Sequence, residues 1–352
     1  MVAIFTTSEN LESICFDRDK QPWQDMIYKL GEVFINEAVD IPMDMEDPLF
    51  LLDSSIKIDL TKKDYIDSIK SNPENVLKEP CGIFLLDISK NDACKIEQKY
   101  GVICQSIHSM NHDVLTHIRT SVEVISDLCG KTWIDVFRRF RATPSNSTII
   151  IDAHLFENDA FNEVDGCYDK NKSVGIDNLY QILDCILPQS FAEAYHVAVL
   201  LTNIDEAKQE RRSRTSLTNA RIVSAINRLK RRLGREYEIC IEVHFFSQRG
   251  GFHQLIHNRR ILSNYYVIDA QYKLAAFKND GKGVSSQTIT ASPLFELIHL
   301  DAESDMKEKR LRYDLNDLCG YVESQCKNPT SELFQNGRKC ETFDDLKHRF
   351  LI

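Results

Sequence analysis

The feature that most restricts what this chain can fold into is a regular alternation that begins near residue 148. Thr148-Ile149-Ile150-Ile151-Asp152 is a short continuous apolar run, and His196 through Asn203 and Tyr237 through Phe246 repeat the pattern. Runs this short, rich in β-branched side chains and bounded by polar residues, read as strands buried on both faces. Between them the apolar spacing changes to that of a helix. Leu179, Ile182, Leu183 and Ile186 share one face of a helix that Asp177-Asn178 is expected to cap and Pro188 to stop. Ile222, Ile226, Leu229 and Leu233 mark a second helix from Thr218 to Leu233, closed by Gly234. Phe252 through Asp269 then reads as a hairpin. Strand, helix, strand, helix, strand predicts an α/β fold, with a sandwich built on a mixed sheet.

The first half is less regular. The apolar runs Leu49-Phe50-Leu51-Leu52 and Ile83-Phe84-Leu85-Leu86 end in Asp53 and Asp87, as strands opening onto a site would. A helix is expected from His112 through Phe140, with Trp133, Val136, Phe137 and Phe140 as its core stripe. The polar cluster Arg141 through Ser147 is the expected break between domains. The expected organisation is therefore a small α/β domain over 1–143, a second domain over 147–300, and a helical C-terminal extension over 301–352.

Composition limits the function classes. The formal net charge of −10 and a pI near 5.5 argue against wholesale coating of nucleic acid, so any polyanion contact must come from a local basic patch. The 11 cysteines are scattered without a Cys-x-x-Cys pair, as in a reduced cytosolic protein. No secretory leader is read at the N-terminus, and no apolar run approaches the roughly 18 residues a membrane span needs. Walker, G-x-G-x-x-G and G-x-S-x-G motifs are missing from the sequence, which removes support for nucleotide-loop and α/β-hydrolase classes. No cofactor is expected.

Within the expected hairpin, His257, Arg259 and Asn264 stand out. A histidine and a cation two residues apart in a strand share one face, where the cation neutralises phosphate oxygens and the imidazole attacks or binds phosphorus. The plainer alternative for His257 is a structural histidine bonded to a neighbouring carbonyl. Arg260 points the other way and is expected to be a solvated charge. This order of elements, with its motif, resembles the phospholipase D-like superfamily over residues 147–300. Members of that superfamily carry histidine, any residue, lysine, four residues and aspartate on such a strand. A glycine/serine stretch follows, matched here by Gly281 through Gln287 with Ser285 and Ser286. The resemblance is nearest to the carboxy-terminal domain of microtubule-interacting-and-trafficking proteins, a catalytically degenerate dimeric binding module.

The resemblance implies His257, Arg259 and Asn264 as the catalytic set, a metal-independent phosphohistidine mechanism, and a homodimer supplying the second motif. It also points towards a bacterial defence or mobile-element system. Arginine in place of lysine keeps the charge but changes its shape, and asparagine in place of aspartate cannot stabilise an imidazolium. A non-enzymatic scaffold that docks a protein partner is thus the second reading.

The segment from Lys208 to Arg235 holds ten basic residues against Glu210 alone. Arg211, Arg212, Arg214, Arg228, Arg231 and Arg232 are its expected phosphate or nucleic-acid contacts, joined by Ser285 and Ser286. Its plain alternative is the solvated face of an amphipathic helix. Other candidates are weaker: His253 shares a strand face with His257, and Glu242 shares one with His244. Asp53 and Asp87 make a third reading, a Mg²⁺ nuclease whose Leu51-Leu52-Asp53 resembles the first strand of PIN-like nucleases. His108, His112 and His117 lack the glutamate of a helical zinc motif, and no metal is expected.

Overall fold

The computed structural model describes residues 2–38, 44–59, 64–115, 119–128, 130–139, 143–160, 173–205, 217–247, 259–294 and 302–351. The chain is α/β, with one parallel and one mixed sheet. It divides into two compact units: residues 1–118, 143–146 and 293–314, and residues 119–142, 147–292 and 315–352. The division differs from the expected break at 143–147, because residues 119–142 join the second unit.

In the first unit the strands are β1 (Val2–Thr6), β2 (Gly31–Ile35), β3 (Ile56–Ile58), β4 (Gly82–Leu86) and β5 (Ile103–Ser106). All pair in parallel, in the order β3-β2-β1-β4-β5. The connecting helices are α1 (Ser8–Cys15), α2 (Gln21–Leu30), α3 (Pro48–Leu51), α4 (Tyr65–Ser71), α5 (Glu74–Leu77) and α6 (Lys90–Tyr100). Phe5 of the central strand stacks between Phe34 and Phe84, at 5.2 and 4.8 Å. The run at residues 49–52 is helical rather than a strand. Leu49 and Leu52 are buried and Phe50 and Leu51 exposed, a spacing of three that suits a helix turn and not the alternation of a strand.

The second unit contains β6 (Thr120–Val124), β7 (Ser147–Ile151), β8 (Tyr195–Thr202), β9 (Ile239–Phe246), β10 (Arg259–Ser263), β11 (Tyr266–Ala270), β12 (Gln287–Pro293), β13 (Glu332–Gln335) and β14 (Arg338–Lys339). They form a nine-stranded sheet in the order β14-β13-β9-β8-β7-β10-β11-β12-β6. β7, β8 and β9 are parallel, while β10 and β13 run antiparallel to their neighbours β7 and β9. The helices described in it are α7 (Trp133–Arg139), α8 (Val174–Ile186) and α9 (Asn219–Leu233). A further helix, α10 (Ala302–Cys326), runs through the point where the chain passes from the first unit to the second.

One face of this sheet is the main core. Val197, Val199, Leu201, Ile241, Val243 and Phe245 alternate towards Ile182 and Leu183 of α8 and Ile222, Ile226 and Leu229 of α9. The alternate residues are buried too, so β8 and β9 show no polar edge in their pattern. Thr218 caps α9 by accepting from Arg221 N, and Gly234 ends it at φ +62°, both as the sequence predicts. α8 begins earlier than expected, at Val174. Its first turn is capped by the buried carboxylate of Asp159, which accepts from Gly175 N at 2.7 Å and Ile176 N at 3.0 Å.

The expected helix from His112 to Phe140 is instead a short 3-10 turn (His112–Leu115), strand β6 and helix α7. Thr120-Ser121-Val122-Glu123-Val124 buries Val122 and Val124 and exposes Ser121 and Glu123, the alternation of a strand at a sheet edge. Trp133, Val136 and Phe137 are buried as the stripe required, and Phe140 lies outside the described residues. The C-terminal extension is not wholly helical. After α10 the β13–β14 hairpin turns at Asn336-Gly337, with φ of +48° and +84°, and adds two strands to the sheet.

Candidate phosphate-binding site

The β10–β11 hairpin separates the residues that the motif joins. Arg259 opens β10, opposite Ala270, while Asn264 sits in the turn beyond its other end. Five residues of extended strand span about 17 Å, so the two do not share a site. Asn264 is fully buried and its Oδ1 accepts from Ser147 N at 3.4 Å, a bond that ties the turn to the start of β7. This corrects its expected catalytic place. His257 and His253 lie outside the described residues.

At the C-terminal end of β7 stands Asp152, wholly buried. Its Oδ1 accepts from His154 N at 2.9 Å and its Oδ2 from Leu274 N at 2.7 Å. Burial raises its pKa, while those two N–H groups and the charge of Arg259 pull it back down. Arg260 bonds Asp269 across the hairpin at 2.7 Å and its side chain is largely buried, so it is not the solvated charge expected of it.

Glu242 and His244 do meet, at 3.1 Å, but in an interior closed to solvent. Glu242 Oε1 also accepts from the backbone N–H of Lys347 and His348, at 2.6 and 2.8 Å. Burial alone would push this carboxyl up. The bond and charge of His244, with His348 and Lys347 N–H, outweigh it and hold the pKa at about 2. His348 accepts from Phe350 N on Nδ1 and donates from Nε2 to Thr148 O, and burial lowers its pKa to about 4. The cluster is a structural clasp. His348 was not legible as its member, being separated from Glu242 by 106 residues.

The basic helix sorts its own charges. Arg232 turns to Asp177 at 2.9 Å and lies 3.7 Å from the centroid of the Tyr180 ring, so it packs α9 onto α8. Arg235 donates to Pro188 O, Leu233 O, Leu187 O and both Asp184 O and Oδ1. Lys230 bonds Asn336 Oδ1, and burial lowers its pKa. Arg228 and Arg231 lie towards the hairpin side of the exposed helix face. With Ala220, Val223, Ser224 and Asn227 of α9, and Phe334 and Gly337 of the hairpin, they line a groove of about 390 Å³. Among the described residues no carboxylate pairs with Arg228, Arg231 or the exposed Arg338 of β14. Arg211, Arg212 and Arg214 lie outside the described residues.

Ser285 and Ser286 do not join this groove. Ser286 Oγ accepts from Ser126 N at 3.0 Å and the Ser285 hydroxyl is buried, both beside β12 and β6. In the nine-stranded order, six strand spacings separate β12 from β13, about 30 Å. In the first unit Asp53 precedes β3 and Asp87 follows β4. In a parallel sheet those are opposite edges, so the pair does not converge on a metal. Asp87 Oδ1 instead meets His108 Nε2 at 2.6 Å in the open. Among the described residues no group of three or more His, Cys, Asp or Glu side chains is arranged to hold a metal ion, and no helix is long and apolar enough to cross a membrane. No protein-family model matches this chain, and no curated protein matches it.

Proposed function

We propose that this protein is a phosphate-binding module that engages nucleic acid through the outer face of α9. The observation that carries the reading is the pair Arg228 and Arg231, which line one groove with no carboxylate partner among the described residues. In a chain of net charge −10, two arginines without an acidic partner in one groove make a local positive patch, suited to a polyanion. Titration of a labelled oligonucleotide across low and physiological salt tests it. The wild-type protein should bind with a steep salt dependence, and Arg228→Glu with Arg231→Glu should lower the log-log slope by about 2. Salt-independent binding, or none, ends the reading and turns the search to a protein partner.

A second reading is favoured by the position of Arg259, whose charge reaches Asp152 beyond the C-terminal end of a parallel strand, where ligands of α/β sheets sit. On the phospholipase D-like resemblance, His257 and Arg259 would then support metal-independent phosphodiester hydrolysis in a homodimer. Cleavage in EDTA that disappears in His257→Ala supports it. Binding without cleavage leaves a phosphate-reading scaffold.

A further inference from the structure

The groove beside α9 is concave, and its lining is not only basic. Val223, Ala220 and Phe334 give it an apolar side, and Ser224 and Asn227 a polar one. We propose that this groove seats a single-stranded phosphodiester, with Arg228 and Arg231 on its phosphates and Asn227 facing the edge of one base. The inference rests on the phosphate-binding reading above and narrows it.

Four observations carry it. Arg228 and Arg231 stand three residues apart, one turn of helix and about 4.5 Å of rise, so both reach the same stretch of backbone. Arg228 is pre-positioned, its Nε donating to Ser224 O at 3.3 Å and Nη2 to Ser224 Oγ at 3.4 Å, which fixes the fork before any ligand arrives. The Asn227 amide makes no hydrogen bond among the described residues, and a side-chain amide carries the donor and acceptor that match a base edge. The hairpin comes close enough to shape the groove only because residue 337 is glycine. A Cβ there would stand 1.8 Å from Asn227 Nδ2, and φ is +84°.

The volume decides the strandedness. About 390 Å³ lies at the lower end of what encloses a small ligand, enough for part of one nucleotide. A duplex is a convex rod with its bases paired inwards, so it meets only the arginines at the rim. A single strand can turn a base off the backbone into the groove and rest it on the apolar side.

The test is a titration of the full chain with a short labelled oligonucleotide in EDTA, single-stranded and as the matching duplex. Ala220→Phe and Ala220→Trp fill the groove from an exposed helix position without altering charge or the Ser224 contacts of Arg228. The single strand should bind about tenfold tighter than the duplex, and each filling variant should remove most of that preference while leaving the duplex unchanged. Equal binding of both forms, with no effect of either filling variant, overturns the groove proposal. If Arg228→Glu with Arg231→Glu still weakens binding in that case, the phosphate-binding reading survives it. If the double variant changes nothing, both fail. Competition by poly-glutamate as strong as that by the unlabelled oligonucleotide overturns the nucleic-acid assignment in favour of an acidic protein partner.

Discussion

The two flanks of α9 carry the same residue type to different ends. On the flank facing α8, Arg232 and Arg235 are consumed by Asp177, the Tyr180 ring, Asp184 and the carbonyls that end α8. On the flank facing β13 and β14, Arg228 and Arg231 have no acidic partner among the described residues. The lesson is that a count of charges measures a segment's potential, and packing decides how much remains for a ligand. Ten basic residues from Lys208 to Arg235 look alike in the sequence, yet among the described ones Arg232 and Arg235 hold the fold while Arg228 and Arg231 line the groove.

That contrast can be broken by exchanging charge on each flank in turn. The largest effect belongs to Arg228→Glu with Arg231→Glu. Oligonucleotide affinity at low salt should fall about 100-fold while the thermal midpoint barely moves, as binding titration and melting will read. Next comes Arg235→Ala, which orphans several carbonyls at the end of α8. It should cost about 2 kcal/mol in urea unfolding and leave the salt slope of binding intact. If it also flattens that slope, the division between flanks is wrong.

The buried clasp behind the sheet supplies a control in which charge serves stability alone. Glu242 has a folded pKa near 2, below its unfolded value, so its stabilisation is full above the unfolded value near 4.5 and is lost as pH falls towards 2. His348, with a folded pKa near 4 against 6.5 unfolded, is neutral in the fold. Stability falls as the unfolded chain takes up protons from pH 6.5 down to 4. Both act in the same sense, so the unfolding free energy from urea titrations should drop between pH 7 and 4 by on the order of 4 kcal/mol. His348→Gln should flatten the upper part of that decline, and a decline unchanged by the substitution removes His348 as its source. The smallest expected effect is Arg232→Ala. It loses an ion pair that is half exposed and a cation–ring contact, about 0.5 kcal/mol after solvent screening, with binding unaltered.

Legibility followed the range of the interactions. β7, β8, β9 and α9 were readable because each is fixed by its own apolar period and local caps. Strand β6 was not, since its five residues lie inside a stretch whose wider spacing passes for helical, and only the distant partner β12 selects the extended form. The Asn336-Gly337 turn is written in the sequence as a hairpin signal, but its charged neighbours carry a helix-like pattern that masks it. The groove residues differ for the same reason. Arg228 and Arg231 belong to a charge-dense segment visible in the sequence, whereas Ser224, Asn227, Phe334 and Gly337 become neighbours only through tertiary pairing. Spacing in the motif joined Asn264 to Arg259, but a strand carries residues five apart to opposite ends of a sheet.

The walls of the groove meet across a long loop of chain: Lys230 of α9 and Asn336 of the hairpin are 106 residues apart. A ribosome working from the N-terminus therefore exposes the basic helix well before the hairpin that completes its groove. On the proposed function, the arginines would attract polyanions during that interval with nothing to seat them in. Discrimination among nucleic acids would then be a property that arrives late in synthesis, after the attraction itself.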